Sequence, residues 1–419
     1  SKNVNNVPST VYALVISRID KLKESLKEAV KRAAVIGTEF EVKILSQMLK
    51  KEDSLSEIKN GEENGIWSPL GEIKYIFKHS IIRDAAYEMQ LKKEVQELHL
   101  LAAKAMEKFY MQDNSKKYDI AVHYDRGKNP TKAKTFYYSG ASFAVENFRN
   151  SEAMMIFERL VEMSSVFSEK FKNIMSLVNI LELTSNWKKG TEILADTLEK
   201  YSDKLTEYER GVAKLKMSYL KLKMGDIANV LSDFEEAESI FRKMNDLQQL
   251  MTIHNFQGVA FTRLGEFQKA LDKFDELQTE GADESKKKEI KIIISESFVN
   301  KGFAYQELEK LDEAMVCFAK ALNIAEELSD KRLTAQTLVN MGNVHFFKKD
   351  LKKAEEIYTR QLELDRELGD KYIERVILNN LGALESIRYN LKRAIEYMSR
   401  SLELSRTINE KRGERMALG

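Results

Sequence analysis

Val339-Asn340-Met341-Gly342-Asn343, continuing through Leu351-Lys352-Lys353-Ala354 to Tyr358, sets a glycine, an alanine twelve residues on and an aromatic ring four beyond that. The same spacing recurs on both sides. Gly258, Gly302, Gly342 and Gly382 fall in register at separations of 44, 40 and 40 residues, and each is followed twelve residues later by Ala270, Ala314, Ala354 or Ala394. Four residues further stand Phe274, Phe318, Tyr358 and Met398, then Gln278, Leu322, Leu362 and Leu402, which is a row along one face of a helix. Turn signals such as Leu264-Gly265-Glu266-Phe267 and Lys349-Asp350-Leu351 lie between glycine and alanine, so each unit reads as two antiparallel helices. Glycine inside a helix costs about 1 kcal/mol relative to alanine; its return at one position implies close packing, a small residue facing a large one.

Fainter copies precede these. Ser218 and Val230 hold the glycine and alanine positions one unit before Gly258 and Ala270, with Gly225 matching Gly265. Tyr138-Ser139-Gly140-Ala141 leads to Ala153 and Phe157, and Trp187 to Leu198 reads as the second helix of another unit. Repeats are expected from near residue 95 to the end. Lys411-Arg412-Gly413-Glu414-Arg415 aligns with Lys371-Tyr372-Ile373-Glu374-Arg375, which places the next repeat glycine three residues past Gly419. With no initiator methionine, the chain is expected to be a fragment cut at both ends.

The first ninety residues have a different pattern. Val11 to Ile36 reads as helix, with stripes at Val11, Leu14, Val15, Ile19 and Leu22 and then at Leu26, Val30, Ala33 and Ala34; Thr38 to Leu49 reads as a short helix. Asp53 to Gly65 is polar. Ile66-Trp67, Ser68-Pro69-Leu70-Gly71 and Glu72 to Phe77 read as strand, turn and strand, followed by a helix from about His79 and another over Leu98 to Phe109.

Composition narrows the function classes. Among 419 residues, Lys+Arg number 67 and Asp+Glu 66, a net charge of +1, so no global field draws the chain onto nucleic acid or anionic lipid. No run of about 18 apolar residues occurs, and no membrane partner is expected. Cys317 is the single cysteine, which excludes an internal disulfide and fits a reducing, cytoplasmic compartment. With only 3 prolines, long helices joined by short turns are favoured.

The repeat resembles the tetratricopeptide repeat, in the extended-helix form found in kinesin light chains and many bacterial signalling proteins. The implied fold class is mainly α, a tetratricopeptide-type α-solenoid preceded by a small winged-helix-like α/β segment. Val11-Tyr12-Ala13-Leu14-Val15-Ile16-Ser17-Arg18-Ile19-Asp20, Ala33-Ala34-Val35-Ile36-Gly37-Thr38-Glu39-Phe40 and Tyr75-Ile76-Phe77-Lys78-His79-Ser80-Ile81-Ile82-Arg83-Asp84-Ala85-Ala86-Tyr87 resemble the segment that follows the nucleotide-binding domain of STAND ATPases. Regulatory regions of soluble and bacterial class III adenylate cyclases are similar, as are Leu98-His99, Ala102-Ala103 and Ala121-Val122-His123-Tyr124 at the passage into repeats. The resemblance implies residues 1–92 as the winged-helix-like segment, 93–210 as degenerate helical repeats and 211–419 as tetratricopeptide repeats truncated in the last. It also implies a non-catalytic, regulatory module that binds a protein or peptide, or the parent protein's own ATPase domain, and so controls a nucleotide cyclase or another output. The alternative is a free-standing scaffold or adaptor with no nucleotide switch.

Individual residues divide between function and framework. His79 falls where a STAND winged-helix histidine touches a nucleotide phosphate, and a helix cap is its structural alternative; Arg83, one turn on, reads as a surface arginine. Gly61-Glu62-Glu63-Asn64-Gly65 lacks the Lys-Ser/Thr of a phosphate loop. No cofactor is therefore expected in this chain, ATP or ADP being implied for the parent alone. No zinc spacing, nucleophile elbow, cyclase or kinase signature is legible, so neither metal nor enzymatic activity is expected. Cys317, beside Phe318 on a second helix, reads as a buried packing residue. Partner contacts are expected on first helices one turn either side of the repeat glycine, at Asn255, Arg263, Phe303, Gln306, Gln336, Asn343, Phe346, Asn379 and Ser386. Asn343 and Asn380 stand at the asparagines of a chaperone-tail carboxylate clamp, but Val339 replaces its first lysine. Asn300, Asn340 and Asn380 read as amides bonding between helices, and Glu280 to Lys288 as a solvated inter-repeat loop.

Overall fold

The computed structural model describes residues 9–227, 229–281, 287–368 and 371–407, in two compact units, Ser1–Asn186 and Trp187–Gly419. Glu280 to Lys288 and Lys411 to Arg415 fall partly or wholly outside the described residues, as do Gly369 and Asp370.

The first unit opens with a small α/β segment. Val11 to Ile36 is two helices, Ser9–Asp20 and Glu24–Ile36, broken where Lys23 turns extended at the N-cap of the second. The two stripes seen in the sequence belong to these two helices. Leu26, Val30, Ala33 and Ala34 are buried, whereas Leu14 faces out. Thr38 to Leu49 is likewise split: Glu39–Glu41 is a strand and Val42–Leu49 the helix. The expected hairpin is present as Trp67–Pro69 and Lys74–Phe77, antiparallel, and Glu39–Glu41 adds a third strand on the far side of Lys74–Phe77. Polar residues 53–65 hide a further helix, Leu55–Glu63. It is held by Trp67, fully buried, whose indole Nε1 donates to the Ile58 carbonyl at 2.9 Å and whose ring lies where a side chain on Gly61 would go. Phe40 meets that indole edge-on at 5.1 Å between centroids, and Phe77 closes the other side.

Ser80–Glu88 and Lys92–Tyr110 lead from this core into the helical part of the unit, which runs Lys117–Arg126, Pro130–Glu146, Asn150–Met163 and Phe167–Leu183. Its turns repeat. Lys128, Phe148 and Ser185 each take the left-handed conformation, with φ of 58°, 56° and 57°. Ala141 and Ala153 are buried, but Phe157 is half-buried: Ile156, sixteen residues after Gly140 as Tyr358 is after Gly342, fills the core beside that glycine, and it is the alanine that falls one position late.

The second unit is a series of antiparallel helix pairs: Glu207–Met224 with Val230–Met244, Leu247–Arg263 with Phe267–Glu280, Lys288–Glu307 with Leu311–Glu327, Lys331–Phe347 with Leu351–Leu368, and Lys371–Ile387 with Leu391–Thr407. Trp187–Lys200 precedes them as the expected helix. A Cβ on Gly258 or Gly302 would come within 2.5 Å of the Phe274 or Phe318 ring; Gly342 faces Tyr358 and Gly382 faces Met398 in the same way. The alanine twelve residues on packs beneath, buried in all four units. Ser218, Val230 and Phe234 reproduce the arrangement one unit earlier, all fully buried.

Within each pair the turn is a Schellman motif. Gly225, Gly265, Glu309, Lys349 and Tyr389 all have positive φ, between 58° and 85°, seven residues after the small position. At Lys349 the backbone N–H donates to the Phe346 carbonyl at 3.0 Å and that of Asp350 to the His345 carbonyl at 2.9 Å; Gly265 and Glu266 make the same two bonds. The earlier units put glycine in this conformation, where it costs nothing, and the later ones carry side chains there. The two helices of a pair are also tied by an ion pair, Lys291 with Glu327 and, forty residues on in the next pair, Lys331 with Glu367 at 2.9 Å. Both carboxylates are exposed, so these pairs add little stability and mark the register.

Candidate functional site

The first helix of each pair carries the residues singled out from the sequence, and the structure sorts them. Three spend their polar groups on the framework. Asn255 is buried at 2% exposure and its amide oxygen accepts from Asn300 Nδ2 at 2.9 Å. Arg263 donates to the Leu222 carbonyl, and Ser386 Oγ donates to the Gly382 carbonyl at 3.0 Å. Gln336 is exposed and Asn379 half-buried; Gln306 is half-buried, with its amide oxygen enclosed. Phe303 is 42% exposed and lies edge-on to Phe318 at 6.0 Å.

Asn343 and Phe346 come together. With Phe347, Tyr358, Asn380 and Ala383 they line an open cavity of about 230 Å³ between Lys331–Phe347, Leu351–Leu368 and Lys371–Ile387. Tyr358 O–H donates to Asn343 Oδ1 at 2.7 Å, and Asn380 Nδ2 approaches the same oxygen at 3.4 Å. Burial raises the Tyr358 phenol above its ordinary range, so it remains a donor at neutral pH. Phe347, 65% exposed, forms an apolar wall beside these amides. Such a wall with one amide edge suits an apolar side chain next to a peptide group. The sequence reading missed Phe347 and Ala383; the adjacent pair Phe346-Phe347 was the available signal, because one helix position cannot bury both rings.

The amides expected to bond between helices do so at Asn300 and Asn380, whereas Asn340 Nδ2 donates to the Gln336 carbonyl of its own helix at 3.0 Å. Cys317 is buried, and burial pushes its thiol pKa up, away from reactivity.

A larger cavity, about 510 Å³, lies in the first unit, lined among others by Lys74, Arg83, Lys116 and Arg126 and by Glu39, Glu41 and Asp119. Its wall of mixed charge is backed by His123. His79 is not part of it. It stands at the N-cap of Ser80–Glu88, exposed, and its ring makes no capping bond. Arg83 is half-buried rather than a free surface group, donating to the Ala34 carbonyl at 3.2 Å and to Asp84 at 2.7 Å, with its guanidinium over the Tyr87 ring. No helix among the described residues is long and apolar enough to cross a membrane.

Comparison with known proteins agrees with the helix pairs. The tetratricopeptide repeat family profile matches residues 294–367 and 333–407. No curated protein matches the chain. Among solved structures, BtubC from P. vanneervenii is similar at 17% identity, over 54% of this chain and 91% of that one, with a TM-score of 0.45. A signal transduction ATPase with numerous domains and a tetratricopeptide repeat sensor from Pyrococcus horikoshii is similar at 14% identity, over 98% of this chain and 68% of that one, with a TM-score of 0.48. A Rap protein complexed with competence and sporulation factor is similar at 13% identity, over 78% and 91%, with a TM-score of 0.49. The fold is therefore a tetratricopeptide-type α-solenoid preceded by a small α/β segment, and residues 294–407 carry its recognisable repeats.

Proposed function

We propose that the chain is a protein-binding regulatory module, acting as the interaction part of a STAND-type signalling ATPase. Tetratricopeptide repeats make protein–protein interaction the general role. The observation that carries the reading is the open pocket of Asn343, Phe346, Phe347 and Asn380, where an exposed ring borders amides that remain partly accessible. An extended protein segment lays an apolar side chain on Phe347 and its backbone against the amide edge.

The STAND reading rests on the sequence likeness of residues 11–20, 33–40 and 75–87, and on helices followed by an antiparallel hairpin, the order of a winged helix. In this reading the repeats contact the ATPase in one nucleotide state more than in the other, and the difference in contact shifts the switch. His79 is exposed at the start of its helix, available to a phosphate supplied by that domain. Control of a nucleotide cyclase is the output that the likeness to cyclase regulatory regions suggests.

The test is association of the chain with the ATPase domain of the same gene product, measured with ADP, with a non-hydrolysable ATP analogue and without nucleotide. ADP-dependent association that weakens in His79→Ala supports the switch. Association indifferent to nucleotide, or none, overturns it and leaves a scaffold.

A further inference from the structure

We infer that His254, Glu276 and Glu280 form a binding site for a divalent first-row transition cation of the zinc type, bridging the two helices of one repeat. His254 lies on Leu247–Arg263 and is completely buried. Neither of its ring nitrogens makes a hydrogen bond. A buried imidazole always carries at least one N–H, and the groups nearest its two nitrogens are the carboxylates of Glu280 and Glu238, neither in hydrogen-bond geometry. Opposite it, on Phe267–Glu280, Glu276 and Glu280 are one helical turn apart and face the same way. Glu280 Oε2 is itself buried without a hydrogen bond, 3.1 Å from His254 Nδ1, and one ligand atom from each of the three residues lies within 4.8 Å of the others.

A tetrahedral ion with bonds of about 2.0–2.1 Å needs ligand atoms roughly 3.4 Å apart. The His254–Glu280 pair is already near that distance. Glu276, exposed and held at 2.8 Å by Lys273, closes the third side by a rotamer change. The other imidazole nitrogen, Nε2, faces Glu238 Oε1 at 3.5 Å. Glu238 is fixed by Arg242 at 2.6 Å and by Gln257 at 3.1 Å. A carboxylate behind a histidine is the arrangement that orients metal-bound imidazoles. One imidazole with two carboxylates favours zinc-like ions over magnesium, which takes oxygen donors and water. Sequence spacing gave no hint, because His254 and the Glu276/Glu280 pair lie on different helices and meet only through the Gly258–Phe274 crossing. The rival is a plain His–carboxylate ion pair with no ion between.

The experiment is calorimetric titration of Zn²⁺, and separately Mg²⁺, into the chelator-stripped full chain, with thermal unfolding of the same samples. Glu276→Gln and Glu280→Gln are compared after circular dichroism confirms their helicity; Glu276 is exposed, so its variant folds. One Zn²⁺ per chain that raises the unfolding temperature, at least about tenfold weaker in each variant, with no saturable Mg²⁺ binding, supports the site. Absence of stoichiometric Zn²⁺ binding, binding by the variants as tight as by the wild type, or Mg²⁺ binding as tight as Zn²⁺ overturns it.

Discussion

His99 and His123 share a hydrogen bond of 2.9 Å between their Nδ1 atoms, with both rings buried, at 1% and 5% exposure. Tyr87 O–H lies 2.9 Å from His99 Nε2, and His123 bonds the backbone of Ile36. A carbonyl can only accept, so His123 donates to Ile36, its Nδ1 accepts from His99, and His99 Nε2 accepts from Tyr87. This chain ties the α/β segment to the first helices that follow it. Burial, joined by repulsion from His123, Arg126 and Arg83, lowers the His99 pKa to about 3; burial and Arg126 lower that of His123 to about 4.

Acid should therefore loosen the first unit. Unfolded histidines take up protons near pH 6.5, while the native rings stay neutral to about pH 4 and 3. Above pH 6.5 neither state is protonated and nothing is lost; as pH falls through 6.5 the unfolded state gains protons first, and stability declines down to the native values. The slope is at most about 1.4 kcal/mol per pH unit for each histidine. Urea denaturation between pH 7.5 and 5 should show this decline, shallower in a His99→Gln/His123→Gln variant. Equal slopes would contradict the neutral-pair account.

Gly302→Ala should destabilise the second unit. The new methyl group sits 2.5 Å from the Phe318 ring, which is fully buried and cannot retreat. Overpacking of about 1–3 kcal/mol exceeds the roughly 1 kcal/mol that alanine returns in helix propensity. Thermal unfolding should move down, and Phe318→Leu in the same chain should restore part of the loss. A rise in stability would show the crossing to be looser than described.

Lys349→Gly should do the reverse. Lys349 holds φ of 61° in a Schellman turn whose counterparts at Gly225 and Gly265 are glycines. Removing the Cβ relieves about 1–2 kcal/mol of left-handed strain, less what glycine adds to the unfolded chain's entropy, so a net gain of up to about 1 kcal/mol is expected in chemical denaturation. A net loss would mean that the lysine side chain contributes more than its backbone strain costs.

The repeats were legible because glycine–aromatic crossings leave a fixed trace at twelve and sixteen residues, as at Gly342, Ala354 and Tyr358. Around Gly140 the sixteen-residue spacing persists to Ile156, but the large residue is not aromatic and the alanine, Ala153, comes one position late, so the trace blurs. The helix Leu55–Glu63 was not legible at all: its fold depends on Ile58 and Gly61 meeting Trp67, and only two of its nine residues announce that. The strand Glu39–Glu41 is three residues long, too short for alternation to register, and it exists because Lys74–Phe77 offers it an edge. Of the expected partner-binding residues, Asn343 and Phe346 line one pocket, whereas whether an amide such as Asn255 faces out or bonds inward depends on the neighbouring repeat's Asn300.

Phe347→Ala separates binding from folding. The ring is 65% exposed, so its loss should change stability by no more than about 0.5 kcal/mol while removing the pocket's apolar wall. Unfolding curves that superimpose on the wild type, together with weaker association with the proposed partner, an ATPase domain of the same gene product, are the expected pair of results. A large stability change would make Phe347 a packing residue instead.

Hydrogen–deuterium exchange of the chain, alone and bound to that ATPase domain, tests the interaction face most directly. The account predicts slowed exchange in the C-terminal turn of Lys331–Phe347, Asn343 to Phe347, and in the turn of Lys371–Ile387 that holds Asn380 to Ala383. Slowing confined to the outer second helices, with these turns unchanged, would contradict it.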